Sequence, residues 1–180
     1  MFRKIERYEE RALGLPYPVI LENAAEELLD EVTGERIGVR IPNLEGLAAA
    51  VAVVRCLCPL QLCGAEVRFI RRVLDMTQEE LANALELDAK ETISRWENDA
   101  RPCGGYVEKL LRYTAINKLG KRATGLSADK DAIGDLKIVR REHMTLHGIT
   151  ASLSDASSAS TKEPVPEWDP EIPDCWDMAA

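Results

Sequence analysis

The stretch from Thr77 to Asn98, TQEELANALELDAKETISRWEN, constrains this chain more than any other. Thr77 is placed to cap a helix, and Glu80 three residues on completes a capping box. Leu81, Ala82 and Leu85 then fall on one face, and the small Ala82 permits the close, angled approach of a following helix. Leu87 fills the turn. Ile93 and Trp96 anchor the next helix inward. Upstream, Val67, Ile70, Val73 and Leu74 recur at helical spacing in a helix expected over Gly64–Leu74. Downstream, Gly105–Leu119 reads as another helix.

This packing leaves Lys90, Glu91, Ser94 and Arg95 on an outward face. The start of such a helix suits the major groove of double-stranded DNA, where an arginine can bond a guanine bidentately. Base contacts are therefore expected from Lys90, Glu91, Ser94 and Arg95. Phosphate contacts are expected from Thr77, Gln78, Thr92 and Arg101, since Gln78 lies in a first helical turn and the others are hydroxyls or a cation close by.

A formal net charge of −8 looks unfavourable for such a partner, so its distribution matters. Residues 1–63 carry 7 basic and 10 acidic side chains, residues 64–122 carry 11 and 10, and residues 123–180 carry 5 and 11. The acid excess lies mainly outside the central stretch. Within it, Arg68, Arg71 and Arg72 and then Lys118, Lys121 and Arg122 cluster. Phosphate attraction is local, screened beyond about 8 Å at physiological salt, so distribution outweighs the sum.

Elsewhere the pattern is weaker. Residues 1–13 read as a short helix or an extended arm, Pro18–Leu21 as a strand, Glu22–Glu31 as weakly helical and Arg36–Ile41 as an alternating strand. Alanine-rich Leu44–Arg55 reads as a buried helix, although Val51, Val53 and Val54 would also suit a strand. Cys56–Leu62, with Pro59, reads as a linker. Leu136–Ile149 is helix or strand. From Thr150 onward Ser, Pro and acid dominate, and a disordered acidic tail is expected, with Trp168 and Trp176 inside it.

With these motifs in view, MTQEELANAL followed by TISRWEN resembles the Xre/Cro family of phage-repressor-type helix-turn-helix domains. One departure is that the turn is a residue longer than usual and has no glycine. Further upstream, GLPYPVILENAAEE, TGER, VRIPNLEGL and GAEVRFIRRVLDMTQEELA are similar to the MqsA/YgiT-like antitoxins and their standalone regulator relatives, over roughly residues 8–119. The resemblance implies an N-terminal zinc-binding unit joined to an Xre-type domain. The family's Cys-x-x-Cys-Gly-Glu knuckle falls on Asp30–Glu35, where Gly34 and Glu35 remain and both cysteines are gone. The residues themselves thus argue for a metal-free hairpin held by packing or a dimer partner.

The expected fold is mainly α: a lambda-repressor-like helix-turn-helix domain with a small N-terminal α+β unit built on a β-hairpin and a disordered C-terminal tail. The expected divisions are 1–55, 64–122, 123–149 and 150–180. The expected function is a DNA-binding repressor acting as a homodimer on a palindromic operator, of antitoxin type, with a cognate toxin as a further partner. The alternative is a protein-interaction module with a vestigial helix-turn-helix. No cofactor is expected. Cys56, Cys58, Cys63 and Cys103 read as ordinary thiols, and His143 and His147 lack the carboxylate of an HExxH site. Without a nucleophile–base set, Walker loop or dinucleotide fingerprint, no enzyme is expected. No apolar run reaches the roughly 18 residues of a membrane span. An odd cysteine count without a secretory signal suggests a cytoplasmic protein.

Overall fold

The computed structural model describes residues 1–123, 132–143, 146–154 and 167–171. The chain begins with strands β1 (Phe2–Glu10), β2 (Val19–Leu29) and β3 (Arg36–Arg40). Five helices follow: α1 (Leu44–Leu57), α2 (Gly64–Val73), α3 (Gln78–Ala84), α4 (Lys90–Glu97) and α5 (Gly105–Leu119). A short α6 (Ala132–Asp135), a 3-10 turn at Arg141–His143 and strands β4 (Ile149–Ser154) and β5 (Glu167–Pro170) complete the elements of the described residues. Among the described residues no helix is long and apolar enough to cross a membrane.

The mainly α expectation is corrected: the fold is mixed α/β, with 40% of the described residues helical and 25% in strands, not a mainly α helix-turn-helix fold. Its five-stranded sheet runs β1-β2-β4-β5, with β3 also paired to β2. β2 is antiparallel to β1 and β3 but parallel to β4, with Val19 opposite Ile149 and Leu21 opposite Ala151. β4 and β5 are antiparallel. The acidic Glu22–Leu29 run is strand rather than weak helix because its glutamates find cationic partners across the sheet. Glu26 pairs with Arg40 and Glu27 with Arg3. Opposite charges facing across strands stabilise the pairing.

The expectation of a wholly disordered tail is also corrected. Residues 149–154 and 167–170 are strands. Ile149 and Ala151 are fully buried and Trp168 is 2% exposed. The Trp168 indole Nε1 donates to the Asn43 carbonyl at 3.0 Å, at the start of α1. Residues 155–166 and 172–180, with Trp176, lie outside the described residues.

Helix α1 lies at the centre. Its AAAVAVV run is apolar all round, as a helix enclosed on every side must be. It packs against α2 and α5 and against β4 and β5. Asn43 starts it by accepting the Gly46 N–H on Oδ1. The presumed linker after it is instead buried core. Pro59 prevents regular structure there, so the carbonyls need other donors. Two fully buried arginines supply them. Arg55 donates to Leu60 and Gln61 carbonyls at 2.9 and 3.1 Å. Arg112 donates to the Cys56 carbonyl at 2.8 Å and to those of Cys58 and Leu60. Glu66 and Glu108 balance these charges at 2.6 and 2.7 Å.

The Asp30–Glu35 hairpin turn closes through hydrogen bonds. Asp30 Oδ1 accepts the backbone N–H of Val32 and Thr33 at 2.9 and 2.8 Å, and Gly34 takes a φ of 70°.

Candidate nucleic-acid interface

Three successive helices, α2, α3 and α4, end in the same way. Each has a residue of positive φ just past its C-cap: Asp75 (56°), Glu86 (53°) and Asp99 (52°). After α3, the Glu86 N–H bonds the Asn83 carbonyl and the Leu87 N–H bonds the Ala82 carbonyl, which is the Schellman pattern. The glycine missing from the turn is thus replaced by a glutamate in left-handed conformation. Two of these acids also act through their side chains. Asp99 Oδ1 accepts the Gly64 N–H at the start of α2, and Asp75 pairs with Arg122.

The start of α3 carries the expected capping box: Thr77 Oγ1 accepts the Glu80 N–H at 3.1 Å, and Glu80 accepts the Thr77 N–H at 2.7 Å. The end of α4 is held by Glu97, only 4% exposed. Its carboxylate receives Arg71, Arg68 and the Gln78 amide, the last at 2.9 Å. Burial alone would raise the Glu97 pKa, but hydrogen bonds from Arg71 and Gln78 hold it below the usual range. One carboxylate thus ties α4 to both α2 and α3. Gly64 makes the approach possible, since a Cβ there would sit 2.5 Å from the Trp96 carbonyl oxygen.

Among the expected base-contacting residues, Lys90, Glu91 and Arg95 are exposed and Ser94 is half-buried. Lys90, Glu91 and Arg95 have no side-chain partner among the described residues, so this face of α4 is open. The expected phosphate contacts fare differently. Thr77 and Arg101 are exposed and Thr92 is half-buried. Gln78 commits an amide hydrogen to Glu97 and so positions α4. Thr92 and Arg101, but not Thr77, line a cleft of about 840 Å³ with Trp96, Val107, Ile138 and Arg140. Of the basic clusters counted from sequence, Arg68 and Arg71 face Glu97, while Arg72, Lys118, Lys121 and Arg122 are exposed.

The Glu97 hub was not foreseen. Its signal was present in Arg68 and Arg71, one helical turn apart, and in the acid that follows Trp96. Also unforeseen was the cluster of buried Tyr17, Arg55 and Glu66 with half-buried Arg141. Tyr17 donates to Glu66 at 2.8 Å, and Arg141 reaches the same carboxylate. Its members are distant in sequence.

Cys56, Cys58 and Cys103 are buried free thiols. Burial raises the Cys56 thiol to about 11 and that of Cys103 to about 12. Among the described residues no group of three or more His, Cys, Asp or Glu side chains is arranged to hold a metal ion. His147 is exposed. Compared with family models, curated proteins and solved structures, the chain matches none.

Proposed function

We propose that the chain is a sequence-specific, double-stranded-DNA-binding transcriptional regulator, a repressor that acts as a homodimer on a palindromic operator. The observation that carries this reading is the state of α4. Its C-terminal end is locked to two neighbouring helices through Glu97, while Lys90, Glu91 and Arg95 stand exposed and unpaired along one face. A helix already fixed against its neighbours loses little backbone freedom on entering a groove, and arginine is the commonest reader of guanine. Thr77, Thr92 and Arg101 then serve as sequence-independent phosphate contacts, and Gln78 acts through α4. Two copies are needed because one helix reads only a few base pairs. The motif resemblance supports a narrower version, an antitoxin that represses its own operon beside a cognate toxin.

Selection of bound duplexes from a random pool, followed by titration of the enriched site, tests the reading. Arg95→Ala should weaken binding to that site by about 1–3 kcal/mol and relax one base position. Arg101→Ala should weaken all sequences alike and reduce the salt dependence. The strands β1 and β3, largely exposed, favour a second reading as a protein-interaction module. That reading holds if no sequence is enriched and Arg95→Ala changes nothing.

A further inference from the structure

We propose that the outer edge of β1 is a self-docking edge, where two copies pair their β1 strands antiparallel about a two-fold axis at Glu6 and join their sheets. This rests on the homodimer reading above and names its interface.

β1 is the last strand of the sheet, and among the described residues nothing pairs with its outer side. From Phe2 to Glu9 no side chain is fully buried. A nine-residue edge of this kind offers a row of unused backbone donors and acceptors. Their phase can be read directly. The Met1 and Leu29 backbones exchange both hydrogen bonds, at 3.1 and 2.9 Å. Odd-numbered residues of β1 therefore turn their backbone groups toward β2. Phe2, Lys4, Glu6, Tyr8 and Glu10 turn theirs outward. The irregularity between the strands takes its extra residue from β2, where Ile5 opposite Ala25 is followed by Arg7 opposite Glu22, and Asn23 has a φ of 51°. β1 itself keeps its alternation along its whole length.

Symmetry then restricts the register. A two-fold axis perpendicular to the sheet sets paired residues on the same face, so an even-numbered residue must face an even one. Full overlap of the strand places Glu6 opposite itself, Phe2 opposite Glu10 of the second copy, and Lys4 opposite Tyr8. It also places Arg3 opposite Glu9, twice by symmetry; within one copy Arg3 bonds Glu27 and Glu9 bonds Arg11, so the new pairs form by exchange of partners at the surface. These Arg3–Glu9 pairs fall at the non-hydrogen-bonded sites, where side chains approach closest. Lys4 is diagonal to Glu6 of the second copy and offsets the like charges at the axis. Sliding by two residues one way sets Lys4 against Glu6 but Arg3 against Arg7, and sliding the other way sets Lys4 against Glu10 but Arg7 against itself. Both shifts also shorten the overlap. Full overlap is therefore the register that uses every outward backbone group, and it sets unlike charges together at Arg3 and Glu9.

The test uses the full chain. Sedimentation equilibrium should give twice the 20.0 kDa chain mass. Glu6→Pro removes an outward N–H that the β1–β2 ladder does not use, and it should weaken the dimer by at least about ten-fold with the circular dichroism unchanged. Arg3→Glu, which also loses the Glu27 pair within the chain, and Glu9→Arg should each weaken it with the circular dichroism unchanged, and the double reversal should restore it. Glu6→Cys should give a disulfide-linked dimer on oxidation, beyond any formed by the unsubstituted chain, while Val32→Cys at the hairpin tip should not. This cross-link decides the matter even where the proline variant fails to fold. A dimer that survives Glu6→Pro and shows no link at position 6 overturns the proposal and leaves the homodimer reading intact. A chain that is monomeric both in solution and on its selected DNA site overturns both.

Discussion

At the scale of single residues, two acids show how local backbone and local charge set stability. Glu86 holds a left-handed conformation that costs an ordinary residue about 1–2 kcal/mol. Its side chain, unlike those of Asp75 and Asp99, makes no hydrogen bond or ion pair among the described residues. Glu86→Gly relieves the steric cost and loses about 0.5–1 kcal/mol to the added freedom of the unfolded chain. The expected outcome is stabilisation of up to about 1 kcal/mol in urea unfolding, with DNA binding unchanged. Glu66 illustrates charge. Burial alone would raise its pKa, but the Arg55 guanidinium, seconded by Arg141, overcomes this and holds it at about 2, against an ordinary 4.5. Between those two values the unfolded chain binds a proton that the folded chain does not. This contribution is complete above about 4.5 and is lost as the pH falls toward about 2. Glu66→Gln leaves Arg55 buried with a weaker partner and should cost about 3–5 kcal/mol near neutral pH. Unfolding at pH 6 and pH 3 should show a smaller acid loss in the variant than in the wild type.

At the scale of elements, the position of the exposed α4 face depends on how closely α2 meets α4. The Glu97 carboxylate and Gly64 act together there, one binding the helices and the other leaving room for them. A methyl group at position 64 meets backbone atoms of Trp96 and Glu97, which cannot swing aside as a side chain can. Gly64→Ala should therefore destabilise by about 1–3 kcal/mol, read as a lower midpoint of thermal unfolding. It should also weaken binding to the selected DNA site, since α4 must shift. An equal substitution at Gly104, whose Cβ would meet nothing within 4 Å, should do neither and serves as the control.

At the scale of the molecule, the C-terminal strands close the core over α1. Trp168 covers the start of that helix and bonds the Asn43 carbonyl. Trp168→Ala should cost about 3–5 kcal/mol, the range for truncating a large buried aromatic, with a matching fall in the unfolding midpoint. Removing residues 150–180 would thus strip two strands from the sheet as well as acidic charge. A loss of DNA affinity in such a truncation would have to be read beside its stability. Reduced screening of the basic surface is separated from unfolding by repeating the titration at several salt concentrations.

What the sequence determined by itself was local. The capping box at Thr77 and Glu80 and the helical spacing of Leu81, Ile93 and Trp96 act within a few residues, so α2 to α5 were legible within a few residues of their ends. The exposed positions on α4 followed from the same periodicity. The tertiary structure decided what depends on partners far along the chain. Val19 pairs with Ile149, and Glu26 and Glu27 become strand because Arg40 and Arg3 face them. A serine- and acid-rich segment orders because Ile149, Ala151 and Trp168 find α1 and β2 to cover. The same reason decided which arginines remain free. Arg68 and Arg71 look like DNA contacts in a list of charges, and only folding brings Glu97 beneath them.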